Sequence, residues 1–341
     1  MSDRLVVRAP GKLFVLGEYA VLDGCPAIVA AVDRSVDVRV SRSSSAFVRI
    51  HAAELGASVE FPPDDPSPTN GPLRFAISAF RAVSLHLSDV RRTSLDIEIT
   101  SNLDAGSGAK VGLGGSAAVT VAMVAGLFAV TGKDLSDLCV REQMLAIAFA
   151  AHRDAQAGVG SGADVAASCY GGLVCVEPSP GVAPRVRPLM LPVDATLLAG
   201  WTGEAASTPG LVQRYLGASN GSAATRAAFV QQTRGCVEMF RKALSLRLVS
   251  SAALNRAGDL LQALGNDLDL PLLTPGLRDL IALARTQGAG AKLSGAGGGD
   301  CGIALTQQSA AAARIRAAWR SAGIVPLDLR IDPQGVRIAK T

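Results

Sequence analysis

The pattern of apolar and polar positions in the first hundred residues predicts several strands and one helix. Short runs rich in Val, Ile and Leu predict strands at residues 5–8 and 13–16, which Pro10 and Gly11 separate. Apolar residues at helical spacing then predict a helix over residues 75–87. Further strands are predicted by continuous or alternating apolar patterns at residues 28–32, 36–40 and 94–100.

The rest of the chain predicts more helix before it closes with alternating helices and strands. The longest apolar run, residues 117–130, is too short to cross a bilayer and therefore predicts a buried helix. The proline-rich residues 178–192 indicate either a change of domain or a long hairpin. Helical patterns also occur at residues 141–154, 163–170, 223–268, 277–287 and 310–322, with strands at 172–177, within 291–305 and at 327–331. The alternation near the end predicts a compact α+β sandwich.

Composition excludes several classes of protein. Hydrophobic residues make up 49% of the 341 residues, which excludes an intrinsically disordered chain. The charge of +4 comes from 33 basic and 29 acidic residues scattered together, and only 4% of residues are aromatic. Nothing in this pattern favours a basic, aromatic surface for single-stranded nucleic acid. The amino terminus also lacks the apolar stretch of a signal peptide, so we expect a cytoplasmic protein that binds neither nucleic acid nor membrane.

The cysteines and histidines do not predict a metal centre. Six cysteines occur without a Cys-x-x-Cys pair, and there are only three histidines, so a structural zinc site is hard to assemble. Reduced thiols buried in the core are the simpler interpretation. For His152, packing or hydrogen bonding at a helix end is favoured over catalysis.

The most informative feature is a glycine-rich turn at residues 112–115 that runs directly into the predicted buried helix. Its glycines let backbone N–H groups approach an anion, and the helix adds the positive end of its dipole. Lys110 brings a positive charge to the mouth of the turn, and Ser116 could cap the helix or reach a metal ion. These features predict a phosphate cradle, although a turn that merely caps a core helix would look similar.

Two common phosphate-binding motifs do not account for this turn. The chain has no G-x-x-x-x-G-K-[ST] sequence, which excludes a P-loop by motif. The loose G-x-G-x-x-G/A pattern is present, but residues 104–110 are polar and glycine-rich where a dinucleotide-binding motif needs an apolar strand. Three of the six lysines, Lys12, Lys110 and Lys292, lie in or beside glycine-rich segments instead, which favours polyphosphate handling.

Three ordered motifs make the chain resemble the GHMP small-molecule kinases over essentially its whole length. They are Pro10-Gly11-Lys12 with residues 17–22, residues 112–118, and residues 294–300. Within that superfamily, the details resemble the phosphomevalonate kinases at Lys110 and in the segments 17–19, 155–156, 160–166, 201–203, 206–209 and 297–305. The resemblance implies an α+β fold with two domains and with ATP and acceptor bound in the cleft between them. Residues 1–177 would be similar to domain 2 of ribosomal protein S5, and residues 178–341 would be ferredoxin-like.

The resemblance also implies an activity and a set of site residues. The activity is ATP- and Mg²⁺-dependent phosphoryl transfer to (R)-5-phosphomevalonate in isoprenoid biosynthesis, with mevalonate kinase or a catalytically silent metabolite sensor as alternatives. Lys12, Lys110 and Asp164 would be catalytic, and Ser116 would bind magnesium. The implied ATP contacts are Lys110, Gly112, Leu113, Gly114, Gly115, Ser116 and Ala117. The implied substrate contacts are Lys12, Glu18, Tyr19, Ser161, Gly162, Asp164, Ser207, Thr208, Ser294, Gly295, Ala296, Gly297 and Gly298. The partners would be small molecules, ATP and phosphomevalonate, bound by a monomer or a homodimer.

The charge of the acceptor distinguishes the candidate substrates. An alcohol acceptor loses a proton and favours a carboxylate base, whereas a phosphomonoester with a second pKa of about 6 is already ionised at neutral pH. Repulsion from ATP then makes cations more important than a base, and Lys110 supplies such a cation. We therefore expect Asp164 to orient Lys12 rather than remove a proton, although Asp164 could also be the N-cap of a helix that starts at Val165.

Three positions depart from the family pattern. Gly115 stands where many relatives have a second serine, and Ala163 replaces a bulkier residue before the aspartate. Many relatives also have a magnesium-binding glutamate eleven residues before the aspartate, where this chain has Arg153. Either Asp154 substitutes for that glutamate, or Ser116, phosphates and water hold the ion alone.

Simpler structural roles stay open for several residues. Glu18 fits a hydrogen-bonding role as well as it fits substrate contact. Ser207 and Thr208 precede Pro209, so they could cap a helix instead of contacting the acceptor. Trp201 is interpreted as a core anchor rather than as a stacking platform.

Overall fold

The computed structural model describes residues 4–66, 71–104, 110–205, 208–218 and 223–339, and within these ranges the chain forms two sheets with helices packed on them. The larger sheet contains β1 (Leu5–Leu16), β2 (Ala27–Arg42), β3 (Val48–Ala52), β4 (Ala57–Phe61), β5 (Leu95–Ser101), β6 (Leu173–Ser179), β7 (Val182–Leu189) and β12 (Arg337–Ile338). Its helices are α1 (Arg74–His86), α2 (Gly115–Val130), α3 (Leu138–Ala155) and α4 (Ala163–Tyr170). Antiparallel pairing dominates this sheet, with β3 and β5 as a parallel pair.

The smaller sheet is antiparallel and is built from the second half of the chain. Its order is β11-β8-β10-β9, formed by β8 (Thr196–Trp201), β9 (Gly290–Ser294), β10 (Cys301–Thr306) and β11 (Val325–Leu327). The helices of this half are α5 (Thr208–Leu216), α6 (Ala223–Ser245), α7 (Ser251–Asp267), α8 (Pro275–Arg285) and α9 (Ser309–Ser321). The glycine-rich residues 295–300 connect β9 to β10, so this sheet presents one of the predicted motifs at its edge.

β1 and β2 run as one long antiparallel pair rather than as four short strands. The strands predicted at residues 5–8 and 13–16 both belong to β1, whose register with β2 shifts between Pro10 and Gly11. Proline has no N–H to donate to the ladder, so an irregularity at this point accommodates it. The predicted break is therefore wrong as the end of a strand, because it is a bulge within one.

α2 is the buried helix that the longest apolar run predicts. It packs on β1 and β2, with α1 and α3 on other sides, so it is apolar all round. Gly126 lies where the helix crosses β2, and a Cβ there would be 2.9 Å from a methyl carbon of Val40. The helix is therefore held close to the sheet, and it begins directly after the first glycine-rich turn.

The hairpin of β6 and β7 accounts for most of the proline-rich segment. β7 pairs with β6 and remains in the larger sheet, and β12 returns from the end of the chain to pair with β1. The division predicted between residues 177 and 178 falls inside β6. The domain boundary at this position stays a prediction. The larger sheet continues beyond it to residue 189.

Most of the other predicted elements lie within a few residues of the observed ones. The helical residues 223–268 form α6 and α7. The strand predicted at 327–331 is wrong in its bounds, since β11 ends at Leu327 and Ile331 makes an isolated bridge with Val32. Among the described residues, no helix combines the length and the apolar character needed to cross a membrane.

The thiols are reduced and mostly buried, as expected. Cys139 is exposed and the other five cysteines are buried. Burial raises the pKa of the Cys169 and Cys301 thiols to about 12, which leaves them unreactive at neutral pH. In the described part of the chain, no three His, Cys, Asp or Glu side chains come together as a metal centre.

Candidate phosphate-binding site

The turn at residues 112–115 leads into the amino terminus of α2, as its sequence predicts. Gly112 and Gly114 have φ of 76° and 78°, a left-handed conformation that glycine adopts without strain. A Cβ at Gly114 would lie 2.8 Å from the side chain of Lys12, and one at Gly112 would lie 2.8 Å from that of Asp300. Two side chains from distant parts of the chain therefore reach the turn because these positions are glycine.

Lys12 brings a buried positive charge to this turn. Its backbone N–H donates to the Leu113 carbonyl at 2.8 Å, and its Nζ donates to the Gly112 carbonyl at 2.9 Å. Gly11 permits the approach, since a Cβ there would lie 2.7 Å from the Leu113 carbonyl oxygen. The Pro10-Gly11-Lys12 motif thus fixes the lysine against the turn through backbone contact.

Two carboxylates near Lys12 oppose the effect of burial on the pKa of its ammonium group. Burial lowers the pKa of the Lys12 ammonium, and the carboxylates of Asp164 and Asp300 shift that pKa in the opposite direction. A cation that is already placed and hydrogen-bonded stabilises a bound anion with little further reorganisation. This arrangement agrees with the expectation that Asp164 orients Lys12, which stays a prediction.

The second glycine-rich turn, residues 295–299, also approaches Lys12. All four of its glycines have positive φ, and the Cβ position of Gly295 lies 4.0 Å from Lys12 Nζ. Ser294 donates its hydroxyl to the Phe14 carbonyl at 2.9 Å, which ties the start of this turn to β1. Lys12 is therefore hydrogen-bonded to the first glycine-rich turn and lies near the second, an arrangement suited to two neighbouring phosphate groups.

Ser116, His152 and Asp164 meet beside the first turn. Ser116 Oγ lies 3.1 Å from His152 Nε2, and Asp164 Oδ2 lies 3.9 Å from the same nitrogen. Burial lowers the pKa of the His152 imidazole, and Asp164 acts in the opposite direction. The ring also stacks on Phe75, with centroids 5.2 Å apart. The sequence predicted the packing of His152 but not its contact with Ser116, which depends on how α3 crosses α2.

Neither Ser116 nor Asp164 is the N-cap of its helix. The N-caps of α2 and α4 are Gly114 and Gly162, each in the left-handed conformation. Asp164 lies in the first turn of α4, where its Oδ1 accepts a hydrogen bond from the Val165 N–H at 2.9 Å. The capping alternative is therefore wrong for both residues, and their oxygens lie at positive ends of helices.

The two residues nearest the expected glutamate position are engaged elsewhere. Arg153 donates two hydrogen bonds to the Gly158 carbonyl, at 3.0 and 2.7 Å. Asp154 accepts a hydrogen bond from the Ser78 hydroxyl at 2.6 Å. The hypothesis that Asp154 substitutes for the glutamate is therefore disfavoured, because its carboxylate is held against α1.

Glu18 and Lys292 form a buried ion pair between the two halves of the chain. Lys292 Nζ donates to the Glu18 carboxylate and also to the Leu293 carbonyl at 2.6 Å. Lys292 is 0% exposed and Glu18 is 3% exposed. The interpretation of Lys292 as a phosphate-handling lysine is wrong, because its charge is taken up in the core. For Glu18, the pairing favours the structural role over substrate contact.

The remaining predicted residues differ in what they can offer a ligand. Lys110 is exposed, and its backbone makes an isolated bridge with Asp104. Leu113 and Ala117 are buried, so their backbone is what they present. Ser161 accepts a hydrogen bond from the Ala163 N–H at 3.3 Å.

Ser207 and Thr208 are two further predicted substrate contacts. Ser207 lies outside the described residues. Thr208 is described as the first residue of α5. Trp201, in contrast, is partly buried at the end of β8, packed against the main core as an anchor.

Comparison with known proteins matches the chain to two family domains and to several kinases. The GHMP kinases N terminal domain matches residues 74–172, and the GHMP kinases C terminal domain matches residues 241–325. The chain is 36% identical to phosphomevalonate kinase of Streptomyces sp. (strain CL190), over 98% of this chain and 99% of that protein. It is 29% identical to mevalonate kinase of Pyrococcus horikoshii, over 99% of this chain and 98% of that protein.

A solved structure has the same fold. Streptococcus pneumoniae phosphomevalonate kinase in complex with phosphomevalonate and AMPPNP aligns with a TM-score of 0.79 and 22% identity, over 96% of this chain and 99% of that one. The chain belongs to the GHMP kinases and is a phosphotransferase of that family. The expected α+β fold with an N-terminal and a C-terminal GHMP kinase domain is confirmed. Its relatives include kinases with two different acceptors, so the acceptor has to be argued from the site.

Proposed function

We propose that this chain transfers the terminal phosphoryl group of ATP to (R)-5-phosphomevalonate and releases 5-diphosphomevalonate and ADP. The observation that carries the proposal is the position of Lys12, a buried cation that is hydrogen-bonded to the first glycine-rich turn and lies near the second. Two such turns offer N–H groups to two phosphate-bearing ligands, and the cation offsets the repulsion between them. The Streptomyces relative at 36% identity, a phosphomevalonate kinase, supports the same acceptor.

ATP fits the turn at residues 112–115, where three of the four residues are glycine and α2 begins. The Streptococcus pneumoniae structure, which holds AMPPNP, supports this choice of nucleotide. Ser116 Oγ and the Asp164 carboxylate, which lie together beside His152, are hard oxygen ligands that Mg²⁺ accepts together with phosphate and water. Bound magnesium would neutralise part of the phosphate charge.

With a phosphate as the acceptor, Asp164 would orient Lys12 rather than remove a proton. The acceptor is already ionised at neutral pH, so the transfer needs charge neutralisation and alignment more than proton removal. Burial lowers the pKa of the Lys12 ammonium, and the Asp164 carboxylate opposes that shift, which favours the charged form between the two ligands. Lys12 would then hold the donor and acceptor phosphates together while the bond between them forms.

Mevalonate kinase is the second candidate, and the position of Asp164 favours it. The carboxylate is partly exposed, and its nearest titratable neighbour is the buried His152, so it could accept a proton from an alcohol. A silent metabolite sensor is the third candidate. The joint placement of Lys12, Ser116 and Asp164 beside one turn disfavours a sensor, because binding alone does not need all three. We further expect a cytoplasmic monomer or homodimer whose ligands are small molecules.

The proposal is tested by measuring ADP release with ATP, Mg²⁺ and four separate acceptors: mevalonate, 5-phosphomevalonate, homoserine and galactose. We expect turnover with 5-phosphomevalonate and a rate at least about 100-fold lower with the other three, because a site that is built for a second phosphate loses that binding energy with an uncharged acceptor. Turnover confined to mevalonate would contradict the proposed acceptor. A protein that bound AMPPNP but released no ADP with any acceptor would favour the sensor.

Lys110 is expected to contribute to the choice of acceptor. Lys110→Gln should raise the KM for 5-phosphomevalonate by about five- to tenfold, because an exposed cation near bound phosphate is worth roughly one charge-assisted contact. Lys133→Gln is the matched control, since Lys133 is also exposed but follows the far end of α2. Equal KM values for the two variants would show that Lys110 has no part in acceptor binding.

A further inference from the structure

We propose that Asp23, Tyr215 and Arg226 form a positioning cluster that acts through Tyr19 on the glycine-rich turn at residues 295–299 and so sets affinity for the acceptor phosphate. The inference rests on the proposed function, in which this turn holds that phosphate. These four residues are not adjacent in sequence, and three different segments bring them together. The chain of contacts runs from α6 through α5 to the turn.

Tyr19 is the member that touches the turn. Its hydroxyl donates to the Ala296 carbonyl at 2.6 Å, across 277 positions of sequence. Its φ is 58°, an unusual conformation for a residue with a side chain, and the residue is 4% exposed. A side chain held in a strained backbone conformation is maintained by the contacts around it.

The hydrogen bond from Tyr19 fixes how one peptide of the turn is oriented. Because a peptide unit is planar, the Gly297 N–H points opposite to the Ala296 carbonyl and therefore away from Tyr19. Among the described residues, that N–H donates no hydrogen bond. The next N–H, of Gly298, is occupied by the Leu272 carbonyl at 2.8 Å. Tyr19 thus fixes the orientation of one N–H of the turn that, among the described residues, has no acceptor, and we propose that this N–H donates to the acceptor phosphate.

Tyr215 holds Tyr19 in place from α5. The two rings pack with centroids 5.1 Å apart at 55°, and Tyr215 is 0% exposed. The Tyr215 hydroxyl donates to Asp23 Oδ2 at 2.5 Å. Burial and the hydrogen bond to Asp23 raise the pKa of Tyr215, so the hydroxyl remains a donor at any working pH.

Arg226 completes the cluster from α6. Its guanidinium donates to Asp23 Oδ1 at 2.5 Å and lies 4.6 Å from the centre of the Tyr215 ring. It therefore neutralises the carboxylate and covers the ring at the same time. A second arginine of α6, Arg234, also reaches this region but donates to the Gly24 carbonyl instead, at 3.0 Å. Arg234 thus helps to dock α6, and in the described part of the chain it forms no hydrogen bond or ion pair with Tyr19, Tyr215 or Asp23.

The test is a double-mutant cycle on acceptor kinetics with Arg234→Gln as the matched control. Tyr19→Phe should raise the KM for 5-phosphomevalonate by about tenfold, since it releases the Ala296 carbonyl, while kcat and the KM for ATP change by less than about twofold. Arg226→Gln should raise the same KM by about three- to fivefold. The double variant should equal Tyr19→Phe alone, because the cluster acts through Tyr19. Arg234→Gln should leave the KM unchanged even where it lowers Tm.

Two results would overturn the inference. One is additive effects of Tyr19→Phe and Arg226→Gln, and the other is an equal change in KM for Arg226→Gln and Arg234→Gln. If the wild-type chain turned over only mevalonate, the proposed acceptor would fail, and the cycle would be measured on the affinity for inorganic pyrophosphate, because mevalonate carries no phosphate. If no acceptor were turned over, the affinity for inorganic pyrophosphate would again be measured by calorimetry. Additive effects of the two substitutions on that affinity would overturn the inference. The experiment therefore distinguishes a wrong acceptor from a wrong assignment of the positioning cluster.

Discussion

Replacing Lys12 with methionine should lower kcat by about 10³-fold, in the range found when a preorganised charge is removed from a transition state. Lys12 Nζ is held against the Gly112 carbonyl at 2.9 Å and lies near the second turn as well. Methionine has nearly the same length and fills the same space beside Gly114, so packing is preserved while the charge is lost. The measurement is kcat with saturating ATP and acceptor, together with Tm.

The control for this experiment is Lys242→Met. Lys242 is an exposed lysine of α6, and its removal should change kcat by less than about twofold. Loss of activity in Lys12→Met together with loss of folded protein would not support a catalytic role. Activity of Lys12→Met within about tenfold of the wild-type value would contradict one, because that is too small for a charge placed between donor and acceptor.

Lys292→Met should have the largest effect on stability, lowering the free energy of unfolding by about 3–5 kcal/mol. Glu18 would be left as a charge without its partner in a fully buried site, and its Oε2 already has no hydrogen bond. The pair also connects the segment before Tyr19 with β9, so its loss should loosen the contact between the two halves of the chain. Urea unfolding of the two proteins gives the difference directly.

Two further variants separate the lost charge pair from a general packing defect. Glu18→Gln combined with Lys292→Met should recover a large part of the loss, because it removes the unpaired charge. Arg187→Gln breaks an exposed pair with Glu177 at 3.2 Å and should cost less than about 1 kcal/mol. If the double variant were less stable than Lys292→Met, the unpaired carboxylate would not be the cause.

Local features of the sequence were sufficient to predict the first glycine-rich turn. The spacing of glycines before an apolar run predicted both the turn at residues 112–115 and α2, because backbone conformation and helix burial are properties of short segments. The two-domain fold class followed instead from the resemblance of the three ordered motifs to the GHMP kinases. The Pro10-Gly11 step was wrong as a strand end, because a bulge depends on the partner strand, which lies more than twenty positions away.

The roles of individual charged residues were harder to predict. Lys12 and Lys292 both lie beside glycines in the sequence, yet Lys12 is hydrogen-bonded to the first glycine-rich turn and Lys292 pairs with Glu18 in the core. The contact of His152 with Ser116 depends on how two helices cross. Burial and long-range contact decide these roles, and neither is encoded in local spacing. The apolar residues on either side of it, Ala291 and Leu293, were the one local signal that Lys292 lies in a buried strand.

The phosphorus NMR spectrum of the product tests the proposed reaction most directly. The chain is incubated with ATP, Mg²⁺ and either 5-phosphomevalonate or mevalonate, and the nucleotides are removed before the spectrum is recorded. The account predicts two coupled diphosphate resonances from 5-phosphomevalonate and no phosphorylated product from mevalonate. A single phosphomonoester resonance formed from mevalonate, with 5-phosphomevalonate left unchanged, would contradict it.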